Sequence, residues 1–287
     1  MWTLVSSSIL GGRSKLPLLA GTASVAVLAA VMGAGCGSRD GDAPADVGDP
    51  NPLGTTKTLQ QLQDPESADK IVLEPAPTCA QAFSTPLTVQ GVSVNWVDRY
   101  DETGAGAVGT VWIQDYKSQA PFAGSSIFSP SFVPSSLYVS TGDVVDLRGL
   151  YQVNLCVGKA TFPDGSRLSQ VATPVTTFRF EGAPSIPVEA PISDFADFET
   201  GRKWIGMLVT FRDVYVDDEV RLDNAGRASV PFSSAQASGG ITLSNEFHPL
   251  QGVTRGARFA SVTGVVTWFF DFKLATRMPE DLLPVPQ

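Results

Sequence analysis

The chain has 287 residues, 43% of them hydrophobic and 17% charged, enough apolar material for true cores and too little charge for general disorder. With 27 Gly and 21 Pro it favours a turn-rich β protein over a helical bundle or coiled coil. The net charge of −9 and a single His argue against a protein that coats nucleic acid and limit imidazole chemistry.

The amino terminus has the layout of an export signal. Arg13 and Lys15 precede a charge-free stretch from Leu16 to Gly35, rich in Leu, Val and Ala, and Gly33-Ala34-Gly35-Cys36 follows before the chain turns polar. Ala34-Gly35-Cys36 resembles the lipobox of bacterial lipoprotein signals. The resemblance implies cleavage before Cys36, lipid on the Cys36 thiol and acylation of its new amino group. An uncleaved anchor is the alternative, since Leu16–Gly35 is about long enough to span a bilayer, although Pro17, Gly21, Ser24 and Gly33 make a mediocre span. Simple cleavage without a lipid is a third reading. Two or three acyl chains would tether the mature protein permanently. Gly37, where an Asp would favour retention at the inner membrane, points to the outer membrane by analogy with that family's sorting.

With Cys36 assigned to the lipid, Cys79 and Cys156 remain as an even pair in an oxidising compartment and are expected to form a disulfide, worth roughly 4 kcal/mol in the chain-entropy picture. A nucleophilic Cys is the rival reading, but neither has a His near it in sequence. Residues 1–35 are thus expected to be the signal peptide. Residues 36–78 read as a disordered acidic linker, spaced with Pro and repelled into an extended tether, with a short helical turn at Thr58–Gln63.

From Cys79 the pattern changes to short strands. Leu87–Val97, Val108–Asp115, Asp143–Tyr151 and Thr173–Phe180 are β-branched and aromatic-rich, and they define a first module over residues 79–191. A second module, residues 192–287, opens with an ambiguous helical stretch at Ile192–Thr200. Strands follow at Trp204–Val216, Val220–Leu222, Val230–Phe232, Ile241–Leu243 and Arg258–Leu274, with a hairpin turn at Asp223-Asn-Ala-Gly226. In the last strand Val262, Gly264, Val266, Trp268, Phe270, Phe272 and Leu274 share one face, which reads as core.

Both modules repeat one plan: an opening strand, a strand leading to a polar patch (VWIQDYKSQAPF; YVDDEVRLDNAG), then Gly-Asp or Gly-Ala into a Val-rich return. This resembles the tandem OB-fold modules of secreted bacterial proteins, including those accessory to extracellular nucleases of the YhcR type. The resemblance covers roughly residues 84–285 and implies an all-β protein of two tandem OB-like five-stranded Greek-key barrels. Two Ig-like sandwiches are the structural alternative.

Single-strand binding by OB surfaces combines stacking aromatics with a basic groove, and Trp96, Arg99, Tyr100, Trp112, Tyr116 and Lys117 supply a modest version. Of these, Tyr100, Trp112, Tyr116 and Lys117 are the candidate ligand contacts. Acids outnumber bases in each module, for a net of −3 apiece, so the expected partner is an envelope protein or polysaccharide rather than nucleic acid. Asp213, Asp217, Asp218 and Glu219 are weak candidates for Ca²⁺, although their spacing fits no EF-hand loop. His248 has only Glu246 near it as a metal-ligating or catalytic companion. No Gly-x-Ser-x-Gly, Walker-type or dinucleotide-binding motif occurs. The expected function is therefore that of a non-catalytic binding or scaffold protein of the envelope, without a cofactor. The alternative is an accessory to nucleic-acid binding or to a metal-dependent phosphodiesterase.

Overall fold

The computed structural model describes residues 57–71, 84–104, 109–127, 138–153, 169–182, 185–234 and 237–286. The signal segment, Cys36, Cys79 and Cys156 lie outside the described residues. Among the described residues no helix is long and apolar enough to cross a membrane.

Two five-stranded barrels stand in tandem. The first is closed in the order β1 (Ser84–Val97), β2 (Val111–Asp115), β3 (Gly124–Ile127), β5 (Ser169–Glu181), β4 (Asp143–Val153) and back to β1. All its pairings are antiparallel except β3 with β5, joined in parallel at Ile127 and Val171. In the second barrel, β7 (Leu208–Val216) pairs β9 (Ala228–Ser234) and β9 pairs β10 (Ala237–Ser244). There β10 runs parallel to β12 (Phe272–Ala275), β12 pairs β11 (Arg258–Trp268), and β11 closes on β7. The two rings have the same topology, strand for strand, and it is the OB-like Greek key rather than a sandwich. Short strands extend the second ring: β6 (Val188–Glu189) on β7, β8 (Arg221–Leu222) on β9 and β13 (Leu282–Pro284) on β11.

Closure of a small barrel demands bends, and β1 bends at a bulge. Its register against β4 shifts between Val89 and Val92, with Gly91 at φ 63°. The left-handed backbone there is one that glycine adopts without steric cost. The bulge keeps Val89, Val92 and Val94 all in the core on both sides of the bend.

Residues 57–71, which composition alone places in the tether, pack into the first barrel. The helix α1 (Leu59–Gln63) starts with a capping box made by Thr58 and Gln61. Leu59 and Leu62 are buried in the barrel's core. Their apolar side chains pull this turn out of an otherwise acidic, extended segment. Similarly, Val188 and Ala190 pack in the second barrel's core and Val188–Glu189 pairs with β7, so this end of residues 79–191 lies with the second barrel.

The long Arg258–Leu274 strand is two strands. Phe269–Asp271 forms the turn between β11 and β12, with Phe270 at φ 66° and 61% exposed, so Phe270 leaves the core face that period-two reading gives it. Beside this, β11 is buried on both faces from Gly264 to Trp268. Val262 and Val266 fill the second barrel, whereas Val265 joins Trp112, Leu208, Phe247 and Ala275 in a separate cluster between the barrels.

Candidate functional site

The sequence VWIQD, strand β2, is buried at all five positions. Val111 and Ile113 point into the first barrel, and Trp112 packs against the second barrel's Phe247, Leu208, Val265 and Ala275. Gln114 Oε1 accepts the Leu208 N–H (3.0 Å) and Asn95 Nδ2 (3.1 Å), and Asn95 also donates to the Gly206 carbonyl at 3.2 Å. Asp115 accepts the N–H groups of Leu59 (2.8 Å) and Gln60 (2.9 Å), fixing α1. Burial pushes its carboxyl up to about 6 against those two hydrogen bonds. Every side chain of this motif is committed to architecture.

The face of strands 2 and 3, where OB folds usually meet ligands, is therefore covered in the first barrel. The candidate contact Trp112 lies there at 3% exposure, closed off by the second barrel. Tyr116 and Lys117 form a pair of their own: the Lys117 ammonium lies 5.3 Å from the Tyr116 ring centroid, and that ring meets Phe180 edge-on at 5.4 Å. Tyr100 has a different setting.

Tyr100 lines a cavity of about 460 Å³ whose walls come from both barrels. The end of β1 and the loop after it supply Trp96, Val97, Arg99 and Tyr100, and the approach to β4 supplies Ser140 and Thr141. The loop after β10 supplies Phe247 and His248, and the segment after β12 supplies Arg277. The volume is in the range of small-molecule sites. Phe247 holds the aromatic wall together, its ring centroid 6.2 Å from those of both Trp96 and Trp112. His248 Nδ1 lies 2.8 Å from the Pro249 carbonyl, which can only accept, so Nδ1 carries the proton and Nε2 is left for other partners. Arg277, 8% exposed, clamps Asp281 through Nε (3.0 Å) and Nη2 (2.8 Å). Among the described residues its Nη1 and the Trp96 Nε1 are buried without a hydrogen-bond partner.

Two carboxyls stand next to these lining residues in the chain. Asp98, between Val97 and Arg99, is pushed up to about 8 by burial first and by the charge of Glu246 second, against the pull of the Tyr100 N–H. Glu246, next to Phe247, is pushed up to about 7, again chiefly by burial, although the Thr267 hydroxyl donates to it at 2.6 Å. At neutral pH Asp98 keeps its proton, and a buried carboxyl raised in this way next in the chain to cavity-lining residues is a recurrent mark of a functional site. Glu102 pairs with Arg227 of the second barrel at 3.3 Å, closing the junction on that side.

The acids offered for calcium do not converge. Asp217 takes the Ser233 hydroxyl at 2.8 Å, Asp218 pairs with Arg221, and Asp213 is an exposed residue at φ 51° on β7. Among the described residues no three His, Cys, Asp or Glu side chains come together to hold a metal ion. Sequence reasoning singled out Tyr100 and His248 but did not bring them together, and it missed Phe247 and Arg277. The available signal was topological: the loops after the first and third strands of an OB-like barrel each carry an aromatic–charged run, Arg99-Tyr100 and Phe247-His248. In comparison with known proteins, no protein-family model and no curated sequence matches this chain.

Proposed function

We propose that this chain is an exported, lipid-anchored binding protein of the cell envelope that holds its ligand, without turnover, in the cavity at the barrel junction. The observation that carries the reading is the joint construction of the cavity. Residues more than 170 positions apart, from Trp96 to Arg277, line one space that neither barrel forms alone. The covered strand 2–3 face speaks against strand-type nucleic-acid binding through the first barrel. In the second barrel, the corresponding strands β9 and β10 offer Ser229, Ser233, Ser238 and Thr242 in place of stacking rings. Export and the lipid anchor rest on the resemblance of Ala34-Gly35-Cys36 to a lipobox.

The test is binding of solubilised envelope polysaccharide to the full-length protein by calorimetry, with parallel assay of the polysaccharide for cleavage. Saturable binding that is lost in Tyr100→Ala and His248→Ala, with no product formed, is the expected result. Unaltered binding by both variants would remove the cavity from the reading. Cleavage that disappears in Asp98→Asn would instead make the Asp98–Glu246 pair catalytic.

A further inference from the structure

The loop after β1, residues 98–104, reaches across to the turn before β9. Glu102 pairs there with Arg227 at 3.3 Å, and a Cβ on the neighbouring Gly226 would stand 3.0 Å from the Glu102 carbonyl oxygen. The same loop supplies Arg99 and Tyr100 to the cavity, while Glu246 of the second barrel directly precedes the lining residues Phe247 and His248. Moving this loop therefore moves part of the cavity wall. Acids crowd the contact. The charges of Glu246, Glu102 and Asp101 all act on Asp98. The cations that act on Glu246 are Lys273 and Arg227, and both have other partners. Arg227 is shared between Glu102 and, at 3.8 Å, Asp223, and it also lies over the Phe269 ring. Lys273 is held by Asp271 at 2.6 Å and donates to the Thr242 hydroxyl. Of the cavity's own charged groups, Arg99 and Arg277, the second is bound to Asp281. Among the described residues Asp98 and Glu246 have no ion pair: Asp98 accepts the Tyr100 N–H at 3.2 Å, and Glu246 accepts the Thr267 hydroxyl.

We propose that residues 98–104 form a proton-gated latch, closed on the second barrel while Asp98 and Glu246 carry protons and lifted away once both are ionised. Two carboxylates facing each other in a poorly hydrated contact, with the nearby cations already engaged, repel. Released into water, each ionises as an ordinary carboxyl does. The closed latch thus holds protons that the open latch gives up, so rising pH favours opening. The effect runs up to about pH 7 for Glu246 and about pH 8 for Asp98. The contacts of Trp112 and Gln114 with the second barrel lie on strand β2 and stay in place, which makes the movement local. That opening also frees a bound ligand rests on the reading of the cavity as the binding site; the latch itself does not.

Limited trypsin digestion of the full-length protein tests this, because cleavage after Arg99 follows the population of the open loop. Rates are taken at pH 6 and pH 8 from fragment masses and normalised at each pH to a peptide substrate. In the native chain cleavage after Arg99 should rise about a hundredfold or more between the two, with no matching rise after Arg212 or Arg258 in the strands of the second barrel. Asp98→Asn should cut the rise to about tenfold, and Asp98→Asn combined with Glu246→Gln should abolish it. A native rate indifferent to pH, or a rise that survives in the double variant, would overturn the latch. So would an equal rise after Arg212 and Arg258, which would show the whole barrel melting. No ligand enters this experiment, so a failure to bind polysaccharide at any pH would remove the proposed function and leave the latch to be judged by the digestion alone.

Discussion

Gly124 of the first barrel and Gly206 of the second meet backbone against backbone: a Cβ on Gly124 would stand 2.5 Å from the Gly206 carbonyl carbon and 2.5 Å from the Met207 nitrogen. Gly206 itself sits at φ 82°, a conformation that side chains disfavour. Gly124→Ala should therefore force the barrels apart. A loss of about 2 kcal/mol or more is expected, with Trp112 emission shifting to the red as water reaches its ring, measured by urea denaturation followed by fluorescence. Native stability and native emission in the variant would show that the contact is not tight in solution.

Gln114 makes the polar half of the same junction. Gln114→Leu keeps the volume but strands the buried Leu208 N–H and leaves the Asn95 amide with the Gly206 carbonyl alone in place of two acceptors. The expected cost is about 1–3 kcal/mol, with hydrogen exchange at Leu208 rising more than at Val262 in the core of the second barrel. Equal protection at both amides would count against the bond.

Asp98 makes stability depend on pH. Its carboxyl keeps a proton up to about pH 8 when folded and loses it near pH 4 when unfolded. Between those values the native state binds more protons, so stability falls as pH rises from about 4 to about 8. Asp98→Asn should flatten this slope and leave the variant about 1–3 kcal/mol more stable than the native chain at pH 8. Thermal denaturation across that range gives the answer, and parallel pH profiles for the two proteins would refute the assignment. Glu246, raised to about 7, acts in the same direction and accounts for the slope that remains in the variant.

Asp115 holds α1 by two hydrogen bonds to backbone N–H groups. Asp115→Ala should release residues 57–71 from the barrel, seen as new protease cleavage between Lys57 and Lys70 and a stability loss of about 1–3 kcal/mol. An unchanged digestion pattern would mean that Leu59 and Leu62 hold the segment unaided.

The lipid and the disulfide have direct chemical tests. Mass spectrometry of the mature amino terminus should find a diacylglycerol-modified Cys36, and thiol titration of the denatured, unreduced protein should find neither Cys79 nor Cys156 free. An unmodified Cys36, or a free thiol at either of the other two, rejects the corresponding assignment.

The strands legible in the sequence were those rich in β-branched and aromatic residues, such as Leu87–Val97 and Trp204–Val216, of which β7 takes Leu208–Val216. Strand β3, Gly124-Ser-Ser-Ile127, carries no such signal, because its small residues are selected by the close approach of the second barrel rather than by strand propensity. Trp112 looked like a ligand contact for a related reason: an aromatic on the outer face of a strand reads as exposed until another module covers it. Tyr100 and His248 were visible singly, but the space they share depends on docking two barrels, which no local pattern encodes. The break at Phe270 was hidden by a run of aromatics that continues the alternation straight through a turn.

Strand β11 has one face inside its own barrel and the other against Trp112, and this makes it common property of the two modules. Heat cannot loosen the ring that β11 closes without also uncovering its neighbour. The tandem should accordingly melt in a single cooperative step, although each half has a complete core of its own.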